Sequence, residues 1–320
     1  MSPSELVYSN GCMQLLHYKP MVEKTYPTPL LIVFALLNRY YIMDIQPDKS
    51  IIRKLLQQGF EIYTVDWSEP TRAQRFLGLD DYVNDYLASA VDFVRRENGV
   101  DTISLQGYCM GGSLAAMYTA LRPETIRNII IQAAPIDFNV DSGLLNLWVR
   151  DIDVDKLVDT YGNVPGDLLN IGFMMRNPFE LMFDKYVSLM EHASDRKYVE
   201  DFYRMEHWIY DNPSSAGEVF REFVKYCYQQ NLLVKGKLKI GGEKVDLKRI
   251  TQPLLNIVAE RDDLVPPEMS IPLNDLVSSK DKTLFKHPSG HIGLSVSNRA
   301  LQELWPKVGR WLAKRSASED

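Results

Sequence analysis

Short apolar runs alternate with longer stretches of helical periodicity along most of this chain, and the alternation strongly constrains its fold. The run at residues 30–35 is uniformly apolar, as expected of a strand that is covered on both faces. Further strands are predicted at residues 61–65, 102–106, 126–133, 253–259 and 283–286, and helices at 48–59, 80–98, 111–121 and 300–313. Strands separated by helices pair in parallel through right-handed crossovers, so the pattern predicts an α/β fold with helices on both faces of a mostly parallel sheet.

The alternation is interrupted once, after residue 139. Helical stretches rich in Met and aromatic residues fill residues 140–248, where strand signals are few. Each of these residues alone is typical of ordinary core packing. Together they indicate a helical insertion, so we predict a core of residues 1–139 and 249–320 with an inserted helical cap of residues 140–248.

A glycine-framed cysteine carries the strongest local signal for chemistry. Cys109 stands in the segment Gly-Tyr-Cys-Met-Gly-Gly, residues 107–112, between a predicted strand and a predicted helix. The spacing is that of the nucleophile elbow of the α/β-hydrolase fold, with Cys where Ser is usual. A free cysteine usually only packs, but this frame favours a nucleophile whose thiolate is stabilised by the helix N-terminus.

An elbow nucleophile needs partners, which the chain offers in the order that this fold uses. Asp262 and Asp263 follow the predicted strand at residues 253–259, and His291 lies in a Ser-Gly-His loop after the next strand. We predict a catalytic triad of Cys109, an acid and His291, with the acid left open between the two aspartates. For the oxyanion hole we predict the backbone N–H of Met110 and, as a looser assignment, an N–H from residues 36–38, represented by Leu36.

The other cysteines and histidines lack such a setting. Cys12 and Cys227 have no glycine frame and are expected to pack in the core. His17 is placed before the sheet begins, and His192 and His207 fall in the predicted cap. His287 lies at a strand end and is expected to be a surface residue.

Composition excludes several classes of protein. The net charge of −6 comes from interleaved acidic and basic residues, so the sequence does not predict a basic surface for binding nucleic acid or an anionic membrane. Three scattered cysteines show neither metal-ligand nor disulfide spacing and suit a reducing compartment. The longest apolar run, residues 30–37, is far shorter than the roughly 20 residues of a transmembrane helix. With no secretory signal at residues 1–20, the expected location is the cytoplasm.

The motifs together resemble a known family, the short catalytic subunit of two-component polyhydroxyalkanoate synthases. The resemblance spans nearly the whole chain. It includes Asn-Arg-Tyr-Tyr-Ile-Met-Asp at residues 38–44, Val-Asp-Trp at 65–67, the elbow, Arg-Asp-Asp-Leu-Val-Pro at 261–266 and Ser-Gly-His-Ile-Gly at 289–293. By this resemblance the catalytic acid is Asp262, although Asp263 stands where many members carry His and so remains a competitor.

The resemblance implies an acyltransferase that polymerises (R)-3-hydroxyacyl-CoA, with 3-hydroxybutyryl-CoA as the expected thioester, through an acyl group carried on Cys109. It implies no cofactor, because CoA enters as part of the substrate and leaves as product, and no metal. The implied partners are the nascent polyester chain, a second copy of the chain in a homodimer and an activating synthase subunit of the PhaE or PhaR type. The implied location is the surface of cytoplasmic polyester granules.

Two rival functions stay open on the sequence. A polyester depolymerase or an acyl-CoA thioesterase would use the same fold and triad, because only the acyl acceptor differs. A non-catalytic granule-binding protein could also keep the fold, but it would have no physical reason to keep Cys109, Asp262 and His291 in catalytic order.

Overall fold

A computed structural model describes residues 1–317, and its centre is an eight-stranded sheet. The strands are β1 Ser4–Asn10, β2 Met13–Tyr18, β3 Leu30–Val33, β4 Ile62–Trp67, β5 Ile103–Tyr108, β6 Ile126–Gln132, β7 Leu254–Ala259 and β8 Lys282–His287. They lie side by side in the order β1-β2-β4-β3-β5-β6-β7-β8. β2 pairs antiparallel with β1 and β4, and the other neighbours pair in parallel. The predicted α/β fold is confirmed.

Helices cover the sheet and fill the segment between β6 and β7. They are α1 Ile51–Leu56, α2 Ala88–Asn98, α3 Met110–Leu121, α4 Leu144–Asp151, α5 Val154–Tyr161, α6 Gly166–Met174, α7 Lys185–Glu191, α8 Arg196–Tyr210, α9 Gly217–Glu222, α10 Pro267–Ser270, α11 Leu273–Leu276, α12 Gly293–Val296 and α13 Trp305–Ser316. π-Helical turns precede α2, α7 and α13 and follow α9. Within residues 1–317, every helix falls short of the length and apolar character needed to cross a bilayer.

The register of the parallel strands brings the carboxyl ends of the central strands to one edge of the sheet. Val33 of β3 lies opposite Gly107 of β5, and Ala259 of β7 lies opposite His287 of β8. Every residue of β3, β5 and β7 is buried, which explains the nearly continuous apolar sequences of β3 and β7. β5 also buries two polar side chains, Ser104 and Gln106. Loops that follow these strands therefore meet at the same edge.

The N-terminal hairpin corrects the sequence-based interpretation of His17. That residue lies inside β2 and pairs with Glu61, so it belongs to the sheet. β1 is largely exposed and has no apolar face of regular period, so it gave no strand signal. The start of α1 also differs from the prediction at Asp48, because the Ser50 hydroxyl caps the helix by accepting from the Arg53 N–H at 2.8 Å.

The predicted cap segment contains α4 to α9 and packs in two ways. Val154, Val158 and Val164 form a small apolar cluster of their own with Phe220 and Val224. From Ala216 onward, by contrast, many buried side chains join the main core of the molecule. The segment also ends in a short hairpin, Lys239–Ile240 with Glu243–Lys244, that the sequence pattern did not predict. Boundaries at residues 140 and 248 stay a prediction.

Candidate active site

Cys109 lies at the turn between β5 and α3 in a strained backbone conformation. Its φ of 55° and ψ of −132° are rarely adopted by residues with a side chain. Two backbone hydrogen bonds hold the turn: the Cys109 N–H donates to the Gln132 carbonyl at 2.9 Å, and its own carbonyl accepts from the Gly112 N–H at 2.8 Å. Such strain typically costs about 1–3 kcal/mol and persists where the surroundings enforce it, as at an elbow that projects a nucleophile.

The glycines around Cys109 allow the strand, the turn and the helix to approach closely. A Cβ on Gly107 would lie 2.5 Å from the Gly111 carbonyl oxygen, and a Cβ on Gly111 would collide with the Val33 and Phe34 carbonyls. α3 is completely buried and could not move away without disturbing the core. The glycine frame is thus required by packing around Cys109.

His291 and Asp262 form a buried pair beside the cysteine. The His291 Nδ1–H donates to Asp262 Oδ2 at 2.6 Å, and both side chains are almost fully buried. The other carboxylate oxygen of Asp262 accepts from the backbone N–H groups of Leu264 and Val265 at 3.0 and 2.8 Å. These bonds fix the carboxylate, which in turn fixes the tautomer of His291 and leaves Nε2 available.

Electrostatics favour the protonated form of this imidazole. Burial acts to lower the pKa of His291, because it penalises the charged ring. The Asp262 carboxylate and the Cys109 sulfur act in the opposite direction, through charge and hydrogen bonding, and raise the pKa to about 10. The ring is therefore held between two groups that both stabilise its positive charge.

The two candidate acids have separate positions. Asp263 does not contact His291; its side chain is 66% exposed and pairs with Arg176 at 2.6 Å. The geometry therefore brings Asp262, rather than Asp263, to the histidine. Arg176 follows α6, so the Asp263 pair joins the segment between β6 and β7 to the loop that carries Asp262.

The predicted oxyanion residues are only partly brought together. Met110 begins α3, where the first N–H groups of a helix have no intrahelical partner, and it lines the same cavity as Cys109. Leu36 is buried and does not line that cavity, whereas its neighbours Leu37 and Asn38 do. The second donor is therefore better sought at Leu37 or Asn38, and both assignments stay predictions.

A large apolar cavity of about 710 Å³ opens above the cysteine. Core residues Cys109, Met110 and His291 form its floor. Its remaining walls come mostly from the segment between β6 and β7 and include Trp148, Leu168, Phe173, Met174, Trp208, Phe220 and Phe223. The Met and aromatic residues of that segment thus surround a space large enough for an acyl group.

Other cysteines and histidines occupy settings without these partners. Cys12 and Cys227 are buried, and burial raises the pKa of both thiols. His287 is buried rather than on the surface as predicted, because it ends β8, and its Nδ1 lies 3.0 Å from the Ser289 hydroxyl.

Sequence reasoning also missed one support of the site. The hydroxyl of Tyr108 donates to the His291 carbonyl at 2.8 Å and fixes the histidine loop against the elbow. In the sequence, the only signal for this contact was that Tyr108 is adjacent to Cys109.

Comparison with known proteins defines the class. The alpha/beta hydrolase fold family matches residues 28–296. A monoglyceride lipase from Saccharomyces cerevisiae superposes with a TM-score of 0.64 at 13% identity, covering 99% of this chain and 97% of that chain. A thermophilic esterase from Thermogutta terrifontis gives 0.58 at 14% identity, covering 99% and 100%. Fold and site together define an α/β-hydrolase-fold protein with cysteine at the elbow.

Sequence relatives specify the family within that class. The chain is 46% identical over 317 residues to the poly(3-hydroxyalkanoate) polymerase subunit PhaC of Allochromatium vinosum, covering 98% of this chain and 89% of the relative. It is 45% identical to the protein of the same name from Haloferax mediterranei, covering 98% of this chain and 64% of that longer relative. The chain belongs to the PhaC family of poly(3-hydroxyalkanoate) polymerase subunits.

Proposed function

We propose that this chain polymerises (R)-3-hydroxyacyl-CoA, with 3-hydroxybutyryl-CoA as the expected substrate, into polyhydroxyalkanoate and releases CoA. The observation that carries the proposal is Cys109 at a nucleophile elbow beside the buried His291–Asp262 pair, under an apolar cavity. The family supports the same reaction, since its members carry the name polymerase. The proposed chemistry uses side chains and backbone N–H groups of this chain together with the CoA thioester, so no cofactor or metal is part of the proposal.

Loading of the enzyme begins with proton transfer from Cys109 to His291. The thiolate attacks the thioester carbonyl, and the oxyanion that forms is stabilised by the Met110 N–H and a donor from the loop after β3. The intermediate collapses with cleavage of the bond to the CoA sulfur. The imidazolium of His291 gives its proton to the departing thiolate, so that CoA leaves as a thiol and Cys109 carries the acyl group.

Chain extension uses the same residues in the second half-reaction. Neutral His291 now accepts the proton of the 3-hydroxyl of another hydroxyacyl unit, and that oxygen attacks the acyl group on Cys109. An ester bond forms and the thioester bond to Cys109 breaks. The cysteine leaves as a thiolate and His291 stays protonated, which is the form of the imidazole that its raised pKa favours.

Exclusion of water separates a polymerase from a hydrolase on this fold. Water is the competing acceptor for the acyl group, and an apolar enclosure lowers its concentration near Cys109. The walls of the cavity are aliphatic and aromatic, with Asn38, Asn170, Arg176 and Lys185 among the few polar residues that line it. This lining favours transfer to a hydroxyl that is tethered to a bound substrate.

The proposal extends to partners and to location. We propose that the chain acts as a homodimer with a second, activating synthase subunit, holds the nascent polyester and works at the granule surface. The word subunit in the names of its relatives supports an assembly. Apolar side chains that are unusually exposed for their type support contact with a partner or polymer, among them Ile171, Phe179, Phe183, Val187 and Met190.

The test is a product assay with purified chain and 3-hydroxybutyryl-CoA. We expect CoA release with insoluble polyester, at a higher rate when the second subunit is added, and light scattering should give the mass of two chains. CoA release with free hydroxy acid, with or without that subunit, would assign a thioesterase instead. A preparation that binds granules but releases no CoA would assign the non-catalytic alternative.

A further inference from the structure

We propose that Asp211, at the end of α8, is a positioning residue for the oxyanion loop, which we define as residues 34–39 between β3 and the following helical turn. The inference rests on the proposed acyl transfer, because it concerns the loop that would supply the second oxyanion donor. Phe34, Ala35, Leu37 and Asn38 of this loop line the cavity together with Cys109 and Met110.

The start of the oxyanion loop is held by the core of the molecule. The Trp67 indole N–H donates to the Phe34 carbonyl at 3.1 Å, and Trp67 is buried at the end of β4. The Phe34 carbonyl also faces Gly111 of the elbow helix, at a separation that leaves no room for a Cβ. This end of the loop is therefore fixed to the sheet and to α3.

The far end of the loop is held mainly by α8. The Arg39 Nε–H donates to Asp211 Oδ1 at 3.2 Å, and the Tyr41 hydroxyl donates to Asp211 Oδ2 at 2.8 Å. The Trp208 indole N–H donates to the Arg39 carbonyl at 2.8 Å. On the core side, Arg39 Nη1 donates to the Trp67 carbonyl at 3.0 Å. Three of these four bonds involve Trp208 or Asp211, at the C-terminal end of α8.

The position of Asp211 on its own helix argues against a purely local role. It is the residue that follows the last turn of α8, where the partial negative charge of the helix makes a carboxylate unfavourable. Both of its carboxylate oxygens are turned to Arg39 and Tyr41, which lie 172 and 170 residues away in the sequence. The carboxylate is thus stabilised by the oxyanion loop and the turn after it rather than by α8.

These contacts couple the oxyanion hole to the placement of α8. The contacts at both ends of the oxyanion loop determine the directions of the backbone N–H groups between Phe34 and Arg39. Those directions matter because an oxyanion is stabilised only when its donors all lie within hydrogen-bond distance of it. When α8 is seated on the core, Asp211 fixes the far end. When that contact is lost, the loop loosens and attack on a carbonyl slows, while the nucleophile and its histidine keep their own supports.

The test compares two reactions of Cys109 that differ in their need for an oxyanion hole. Acylation by 3-hydroxybutyryl-CoA forms an oxyanion, whereas alkylation by iodoacetamide forms none. For Asp211→Ala we expect kcat of CoA release to fall roughly tenfold or more, since loss of a whole donor costs about 100-fold or more. KM should change less than about twofold, because ground-state binding is retained. The alkylation rate should match that of the unaltered chain.

Two further variants serve as controls. Asp201→Ala removes another ion pair between α8 and the core, Asp201 to Lys49 at 2.7 Å, without touching the oxyanion loop, and should leave both reactions unchanged. Tyr41→Phe keeps the Arg39–Asp211 pair and should slow acylation in the same direction but less. Asp211→Glu should recover part of the loss.

Equal effects of the Asp211 and Asp201 variants on acylation would overturn the inference, and so would a parallel fall in alkylation. Failure of the proposed function is seen in the unaltered chain instead. Release of CoA with free hydroxy acid would contradict polymerisation while leaving the comparison of Asp211 and Asp201 valid, and no release of CoA at all would overturn the inference as well.

Discussion

At the scale of single residues, the proposed chemistry depends on how Asp262 determines the protonation state of His291. The carboxylate is buried, holds two backbone N–H groups and receives the imidazole Nδ1–H. Burial of the ring alone would favour its neutral form, so the charge of Asp262 decides the protonation state of His291 together with Cys109. An uncharged side chain of the same shape at position 262 should therefore keep the packing around His291 and remove the negative charge beside it.

We expect Asp262→Asn to lower the pKa of His291, which a histidine C–H titration by NMR measures directly. Because the folded-state pKa lies above the ordinary value, the stability from this pair is full below about pH 6.5 and is lost as the pH rises toward 10. The difference in free energy of unfolding between the two proteins should therefore be larger at pH 6 than at pH 9. Asp263→Asn is the matched control and should leave the His291 titration in place; an unchanged titration in Asp262→Asn would contradict the assignment.

At the scale of structural elements, the elbow depends on the close approach of α3 to β3 and β5. Gly111 lies against the Val33 and Phe34 carbonyls, and neither the strand nor the buried helix has room to move. A residue without a side chain is required at position 111 because of packing, so its replacement should affect the stability of the protein as well as its activity.

Gly111→Ala should destabilise the protein by about 1–3 kcal/mol, the usual cost of overpacking a core, and should displace the turn that carries Cys109. Gly172→Ala is the matched control, because nothing lies within 4 Å of its added Cβ and it sits inside α6. In a helix interior that change should stabilise by about 0.5–1 kcal/mol. Denaturant unfolding measures both; equal effects of the two substitutions would show that the close approach is not restrictive.

Elements of local origin could be predicted from the sequence, and tertiary contacts could not. The buried strands and the Cys109 elbow have local signals, because mostly apolar runs and the required glycines each fall within a few adjacent residues. β1 escaped prediction because it is largely exposed at the edge of the sheet. The family resemblance favoured Asp262 over Asp263, but spacing along the chain left both open, because the difference is which side chain is buried beside His291. The Arg39–Asp211 contact depends on how α8 packs. Neither of these tertiary contacts produces a recognisable pattern in neighbouring residues of the sequence.

At the scale of the whole molecule, the segment that covers Cys109 distinguishes this protein from hydrolases that share its α/β-hydrolase fold. The sheet and its loops supply the Cys109, Asp262 and His291 geometry, while the segment between β6 and β7 supplies most of an apolar enclosure. Arg176 and Asp211 of that segment make ion pairs to the loops on either side of the site. The walls of the cavity and the loops that carry the candidate site are thus connected, which suits the proposed reaction, because that reaction must admit a CoA thioester and exclude water.

The central claim, that Cys109 carries the acyl group, is tested most directly by intact-protein mass spectrometry after brief mixing with 3-hydroxybutyryl-CoA or with butyryl-CoA, which lacks the acceptor hydroxyl. We predict a mass increase of one acyl group that peptide mapping places on Cys109, more persistent with butyryl-CoA, and none in Cys109→Ala. A Cys109→Ala protein that still releases CoA at the unaltered rate, or an acyl group found on another residue, would contradict the account.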